Sequence, residues 1–567
     1  MELILQLGLV VGIAAVLTLL AKLIKQPPLI AFLVTGIIAG PLFLGILETG
    51  EIFESFSHIA VAFLLFIVGI SLDFRILKNF AKVSLVVGIG QIIITGILGF
   101  FIGAWLGFSL IHSVYIAAAL AFSSTFIVVK LISDKRELES LHGKIALGIL
   151  IVQDFIAALI LTIVPVLSLQ EFGSALILSQ LAKVALLIFV VFLFSYFVIH
   201  GIFSIASRNE DVLFLFGIGW ALLISLLFKY LGFSLEIGAL VAGMSLASSK
   251  YSLMISSKTK GLRDFFVLLF FVFFGSFLAG PFDAKLIISA AVFSALVLAG
   301  NPLIIMALMK GLGYKKRVNF LTGISLAQIS EFSLVLILLG FTAGLVSQQV
   351  LSLIILVALI TFALSSYGIF YSHSLYRILS PVLGIFDSSG PERRIHKDRE
   401  YHTILFGYNR IGYNLLEALD KSKKDYLVVD YNPDTINKLQ KEGVPCIYGD
   451  AQDHEFLKEL NLKEKKMVIS TIPDLDINLV ILRQVDLRNT AFIATAHFIE
   501  DAKKLYDSGA DYVIMPHFLG GEQAGHMLVK AEFDKKKIAP IGDRHLKDLA
   551  KRTKAGHRHP TSDYHGD

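Results

Sequence analysis

The stretch GILIVQDFIAALILTIVP, residues 148–165, decides the fold. It holds a single ionisable side chain, Asp154, in an apolar run long enough to call for a membrane. A carboxylate at such depth is expensive and marks function by default. No Lys or Arg lies within a helical turn of it. Unless a basic side chain reaches it from another helix, Asp154 is either protonated or holding a cation. Burial disfavours a carboxylate's charged form and a bound cation favours it. Competition of H⁺ and a monovalent metal cation for this one group therefore couples two opposite fluxes.

The rest of the chain agrees with a membrane setting. Its 567 residues are 55% apolar and 17% charged, with a mean hydropathy of +0.74. An ordinary soluble protein is about 25% charged. Disorder and a collagen-like fibre are excluded, and the single cysteine, Cys446, excludes a disulfide scaffold. Residues 1–380 hold 22 Lys/Arg and 16 Asp/Glu, whereas residues 381–567 hold 28 and 29. The first part belongs in lipid and the second in water. The net charge of +5 comes from the membrane part and points to no nucleic acid. The opening MELILQLGLV lacks a positive n-region and a cleavage site, and reads as the first spanning helix.

Breaks at charge clusters and at Pro/Gly turns give thirteen expected spans. They cover 3–23, 29–46, 56–73, 83–106, 112–131, 144–168, 176–206, 211–229, 232–249, 262–280, 285–309, 317–342 and 347–378. Loop charge tests the count, because Lys and Arg concentrate on the cytoplasmic side. Counting Arg377, 19 of the 22 basic residues before position 381 fall in the odd-numbered loops. The N-terminus is thus expected outside, and the charged C-terminal part in the cytoplasm of an inner (plasma) membrane protein.

Glu331 is a second carboxylate in an apolar span, in GISLAQISEFSLVLILLG, with Gln328 three residues earlier. Ser325, Ser330 and Ser333 make that segment polar. The fifth span has a matching interruption at Ser123, Ser124 and Thr125. Two such spans suggest a pair of broken helices, whose unwound carbonyls and hydroxyls replace a cation's water. Packing between helices, which favours small polar residues, is the other reading of the serines. Glu236 and Asp264, near predicted span ends, read as interfacial or paired.

Beyond the linker the pattern changes to strands alternating with helices: HTILF, YLVVD, VPCIYGD, KMVIST, AFIATA and YVIMP. This argues a doubly wound parallel sheet. The first turn, GYNRIG, is the expected nucleotide site, with Gly407 for the tight turn and Gly412 for close helix packing. Asp430 ends the second strand, where an acid meets a ribose hydroxyl. Asp450 ends the third and could approach the base. Asn409 stands where the fingerprint has its second glycine, and its side chain narrows the approach to a pyrophosphate. A scaffold of this shape that only dimerises is the competing reading. The histidines of the last residues are too loosely spaced for a metal site.

The motifs QPPLIAFLVTGIIAGP, FLLFIVGISLDF, LAFSSTFIVVK, the Gln153–Asp154 pair, EIGALVAGMSLA, FFVLLFFVFFGSF and AQISEFSLVL resemble the monovalent cation:proton antiporter-2 family. The appended domain resembles an RCK (TrkA-N) domain, and the two together resemble Kef-type potassium efflux systems. The resemblance implies a homodimer in the lipid bilayer, with inverted repeats, two crossing broken helices and alternating access. It implies an ion site at Asp154, Gln153, Ser123, Ser124 and Thr125, beside which Gln328 and Glu331 stand on the reading above. It also implies nucleotide contacts at Gly407, Asn409, Arg410, Gly412, Asp430 and Asp450. The expected fold is a polytopic α-helical membrane protein with an α/β Rossmann-like cytoplasmic domain. Residues 1–380 form the exchanger, 381–401 a linker, 402–535 the regulatory domain and 536–567 a disordered tail. The expected function is electroneutral exchange of K⁺, or Na⁺, for H⁺. An adenine nucleotide, NAD(H) or AMP, would regulate it, and an ancillary regulatory protein is a further partner. A ligand-gated K⁺ channel lacks its TVGYG-like filter here. A membrane-anchored NAD-dependent sensor or oxidoreductase is the reading from another class.

Overall fold

The computed structural model describes residues 3–387 and 401–554, except 48–58, 60, 64, 68, 71–76, 136, 139, 168–173, 196, 198–208, 234, 248, 250, 251, 409, 410, 423, 450, 452 and 453. It divides into two compact units, Met1–Asp387 and Ser388–Asp567.

In the first unit, helix lies under each of the thirteen expected spans. Among the described residues, seven helical stretches are long and apolar enough to cross a membrane. Pro28–Ala39, Ala185–Phe194, Ile237–Ala247 and Glu331–Thr342 are shorter apolar helices beside them. The fifth and twelfth spans are broken. The fifth divides into Leu110–Leu120 and Thr125–Asp134, and the twelfth into Lys316–Ser325 and Glu331–Thr342. Serines make the breaks, because their hydroxyls satisfy the free N–H groups of a restarting helix. Ser124 accepts from the Ile127 N–H. Ser330 and Ser333 form a reciprocal capping box. One unbroken-looking run, 284–311, contains a π turn at Leu296–Gly300.

Backbone contact between spans is set by glycine. A Cβ at Gly36 would collide with the Val272 carbonyl, and one at Gly275 with the Leu33 carbonyl. The short, glycine-containing second span is therefore a crossing point, packed against Ser252–Ser276.

Three sequence boundaries need correction. The tenth helix begins at Ser252, so Lys258, Lys260 and Arg263 lie on a helix that outruns its apolar part. Asp264 pairs with Arg263 at 3.0 Å, as an interfacial acid should; the Glu236 side chain lies outside the described residues. The thirteenth span stops at Phe370, capped by Tyr371, and a short amphipathic helix of 8 residues, Ser372–Leu379, follows. The linker does not start at 381, because Val382–Phe386 is a 3₁₀ turn whose Leu383 packs with Met306, Phe320 and Leu321.

Loops one and five gather with the end of the thirteenth span. Tyr367 Oη donates to the Ile24 carbonyl at 3.0 Å, and Lys25 Nζ lies 4.5 Å over the Phe370 ring. Glu137 takes His373 Nε2 at 2.7 Å, His142 Nε2 at 3.1 Å and Lys135 Nζ at 3.1 Å. Burial pushes the Glu137 carboxyl up, but these hydrogen bonds and the Lys135 charge outweigh it and hold the group below the usual carboxylate range. At the other end, Lys285 Nζ joins loops ten and four by donating to the Gly107 carbonyl at 3.3 Å.

The second unit is a six-stranded parallel sheet in the order β3-β2-β1-β4-β5-β6. The strands are Thr403–Phe406, Tyr426–Asp430, Cys446–Tyr448, Met467–Ser470, Ala491–Thr495 and Tyr512–Ile514. β1, β2 and β3 are buried along their whole length, as strands covered on both faces must be. The order reverses beside β1, at the switch point where such sheets bind ligands. The tail is not wholly unstructured: Lys535–Lys554 is an amphipathic helix, its lysines and arginines flanking Ile541, Leu546 and Leu549. Residues 555–567, with His557, His559 and His565, lie outside the described residues.

Candidate functional site

The two breaks meet in the first unit. Ser123 Oγ donates to the Leu326 carbonyl at 2.9 Å, joining one break to the other. Four helix ends therefore converge. The C-terminal ends of Leu110–Leu120 and Lys316–Ser325 bring carbonyl oxygens without helical partners, and the N-terminal ends of the two restarting helices bring partial positive charge.

Asp154 enters this junction from the helix Leu141–Leu167. Its Oδ2 accepts from Thr125 Oγ1 at 2.8 Å, and only 5% of the residue is exposed. The charged group acting on it is another acid, Glu331. The alternative that a basic side chain neutralises Asp154 has no support among the described residues. Glu331 is the first residue of its half-helix and is equally buried. Its carboxylate meets the Ser124 and Ser330 hydroxyls and the Phe126 backbone N–H. Two buried carboxylates, three hydroxyls, unwound carbonyls and two helix N-termini can hold a small dehydrated cation or a proton.

Six of the seven predicted ion-site residues converge here. Gln328 lies in the unwound stretch 326–330 of the second break, so it shares no helical face with Glu331. Its Nε2 turns back to the Ser325 carbonyl at 3.2 Å, as a brace for the broken helix end. Gln153 is also oriented away from its neighbour, since adjacent helix residues point about 100° apart. Its Oε1 accepts from the Ser123 N–H at 3.2 Å, and its Nε2 donates to Gln91 Oε1 at 2.6 Å.

Sequence reading missed Gln91, Thr95 and Asn301. Gln91 Nε2 donates to Thr95 Oγ1 at 3.0 Å, and Thr95 Oγ1 donates to Asn301 Oδ1 at 2.7 Å. The signal was present, because each is a polar residue well inside an apolar span, in VVGIGQIIITG and VLAGNPLIIM.

In the second unit the expected turn follows β1. Gly407 has φ +85°, the left-handed backbone that favours glycine. A Cβ at Gly412 would collide with the Gly407 carbonyl, so Gly412 serves close packing of helix on turn. Asp430 Oδ2 accepts from the Tyr408 N–H and Oδ1 from the Asn432 N–H, both at 2.9 Å. Burial pushes its carboxyl above the usual range, against these backbone donors. Asn409, Arg410 and Asp450 lie outside the described residues.

Comparison with known proteins agrees with both units. The transmembrane sodium/hydrogen exchanger family matches residues 10–370, and the TrkA-N domain matches residues 403–516. The chain is 27% identical to YbaL of Escherichia coli K12, named as a cation/proton antiporter, over 89% of this chain and 93% of that protein. It is 26% identical to the glutathione-regulated potassium-efflux system protein KefC of Escherichia coli O81, over 92% and 84%. The solved sodium proton antiporter MjNhaP1 of Methanocaldococcus jannaschii shares the fold, with a TM-score of 0.51 at 19% identity over 68% of this chain and all of that one. The matched membrane unit, with its paired helix breaks and buried acids, and the matched parallel sheet place this chain in the transmembrane sodium/hydrogen exchanger family, as a multi-pass cation/proton antiporter, not an enzyme, carrying a TrkA-N domain.

Proposed function

We propose that the protein exchanges K⁺ for H⁺ by alternating access, with both ions competing for Asp154. The observation that carries this reading is the buried Asp154–Thr125 pair, with no basic partner among the described residues, at the junction of two unwound helices. K⁺ is favoured over Na⁺ because relatives along most of the chain are named for potassium efflux. The Lys and Arg excess of the odd loops supports an inner-membrane protein with those loops and the TrkA-N domain on the cytoplasmic side and the N-terminus outside. Two copies form the working dimer.

One cation for one proton makes the cycle electroneutral, and this requires Glu331, the second buried acid of the junction, to keep one protonation state throughout. In the second unit the Gly407 turn, the N-terminal end of Ile411–Lys421 and Asp430 fit an adenine nucleotide's phosphates and ribose. A nucleotide controls transport only by binding two domain arrangements unequally.

Proteoliposomes loaded with a pH dye test the transport reading. K⁺, Na⁺, Li⁺ and Rb⁺ are offered in turn, with and without an imposed potential. The expected result is fastest pH recovery with K⁺ and no response to voltage. A potential acts on each net charge with about 2.3 kcal/mol per 100 mV, so a voltage-dependent rate would contradict one-for-one exchange.

A further inference from the structure

The side chains from Ser123 to Asn301 form one directed hydrogen-bond chain. The Ser123 N–H donates to Gln153, Gln153 to Gln91, Gln91 to Thr95 and Thr95 to Asn301. Every member is completely buried. Each glutamine uses its oxygen toward one neighbour and its nitrogen toward the next, so the chain runs in one direction, to the Asn301 Oδ1, and neither glutamine can flip without breaking two bonds. In a low-dielectric interior such bonds strengthen one another, and an unmatched member is costly. The backbone is shaped to allow it. A Cβ at Gly88 would sit 3.1 Å from Val152 Cγ1, so glycine there lets the Gln91 helix approach the Gln153 helix. Asn301 follows directly on the π turn Leu296–Gly300, a helix defect of the kind found at functional sites.

The chain ends on the ion junction. Ser123 is held through its N–H by Gln153, and its hydroxyl holds the Leu326 carbonyl of the opposite break. We propose that Gln91, Thr95 and Asn301 are positioning residues for cation selection, which hold Gln153 and, through Ser123, the unwound oxygens of both breaks at a fixed spacing. This rests on the Asp154 site proposed above. Discrimination among monovalent cations follows from the number and spacing of the oxygens that replace water. A rigid neutral chain sets that spacing without adding charge beside Asp154.

The test measures cation KM and maximal rate for K⁺ and Na⁺ in proteoliposomes, for Gln91→Leu, Thr95→Val, Thr95→Ser and Asp154→Asn. Leaving a buried partner unsatisfied is worth about a tenfold change in affinity. Gln91→Leu and Thr95→Val should raise the K⁺ KM by about that factor and shift the K⁺/Na⁺ ratio of KM values. Thr95→Ser, which keeps the hydroxyl, should restore both. Should Gln91→Leu fail to insert, the near-isosteric Thr95→Val carries the test alone. Wild-type KM and ratio, or a fall in maximal rate alone, would overturn the inference and leave a packing role. Asp154→Asn separates the two failures. If it still exchanges, the site itself is misassigned; if it is inactive while the chain variants keep wild-type KM, only the positioning role falls.

Discussion

Asp154→Asn is expected to give a folded, inserted protein whose exchange falls to the background of empty liposomes. Asn is nearly isosteric with Asp, and its Oδ1 can still accept from Thr125 Oγ1, which now reaches Asp154 at 2.8 Å. The junction therefore keeps its packing, and circular dichroism and elution volume should match wild type. What disappears is titration: an amide neither takes up the proton nor balances the cation's charge. Glu331 remains beside it, buried among Ser124, Ser330 and the Phe126 amide. Substantial exchange by the Asn variant would mean that Glu331 is the carrier, and Glu331→Gln would then be the silent protein.

Gly412→Ala should have the largest effect on the TrkA-N unit. The added methyl would run into the Gly407 carbonyl, which is backbone and cannot rotate away. Gly407 is itself fixed, with φ +85° and its carbonyl accepting from Thr471 Oγ1 at 3.0 Å. Asp430 anchors the next residue by accepting from the Tyr408 N–H. With so little slack, the unit should lose about 2–4 kcal/mol of stability. Any shift in melting temperature on adding NAD⁺, NADH, AMP or ATP should vanish as well. Both are read by thermal unfolding of the full-length protein with and without nucleotide. A variant that melts like wild type would show that the turn is looser than its packing implies. Because any Cβ at 412 disturbs the turn first, charge at this position does not by itself probe phosphate binding.

Much of this architecture was legible in the sequence, for reasons that can be named. Apolar length marks spans because hydrocarbon tolerates little else, and the odd-loop charges mark their alternation. The serines at 123, 124 and 330 flagged the breaks because hydroxyls compete with helical hydrogen bonds, and Ser124 and Ser330 act as the caps of restarting helices. Asp154 stood out because nothing near it in sequence could neutralise it. The second unit was readable from strand–turn–helix alternation, and its strand order is the one that pattern implies.

The parts that were not legible depend on long-range contact. Thr95 and Asn301 bond across 206 positions, and no local periodicity announces that a glutamine and a threonine on one span share a chain with an asparagine on another. Gln328 looked like a neighbour of Glu331 because helix geometry was assumed through an unwound stretch. The span ending at Phe370 read as longer because the amphipathic Ser372–Leu379 continues its apolar content. Gly36 weakened the reading of the short second span by composition, whereas it is required by the Val272 carbonyl of the facing helix.

The central claim is that proton and cation share Asp154, and the most direct test is the dependence of cation affinity on pH. Initial exchange rates of wild-type protein in proteoliposomes are measured over a range of K⁺ concentrations at several pH values, with pH equal on both sides at the start. Competition for one carboxylate predicts that the K⁺ KM rises in proportion to proton concentration on the acid side of the site's titration, while the rate at saturating K⁺ stays constant. A KM that does not move with pH, with protons changing only the maximal rate, would place the two ions on separate groups and contradict the account.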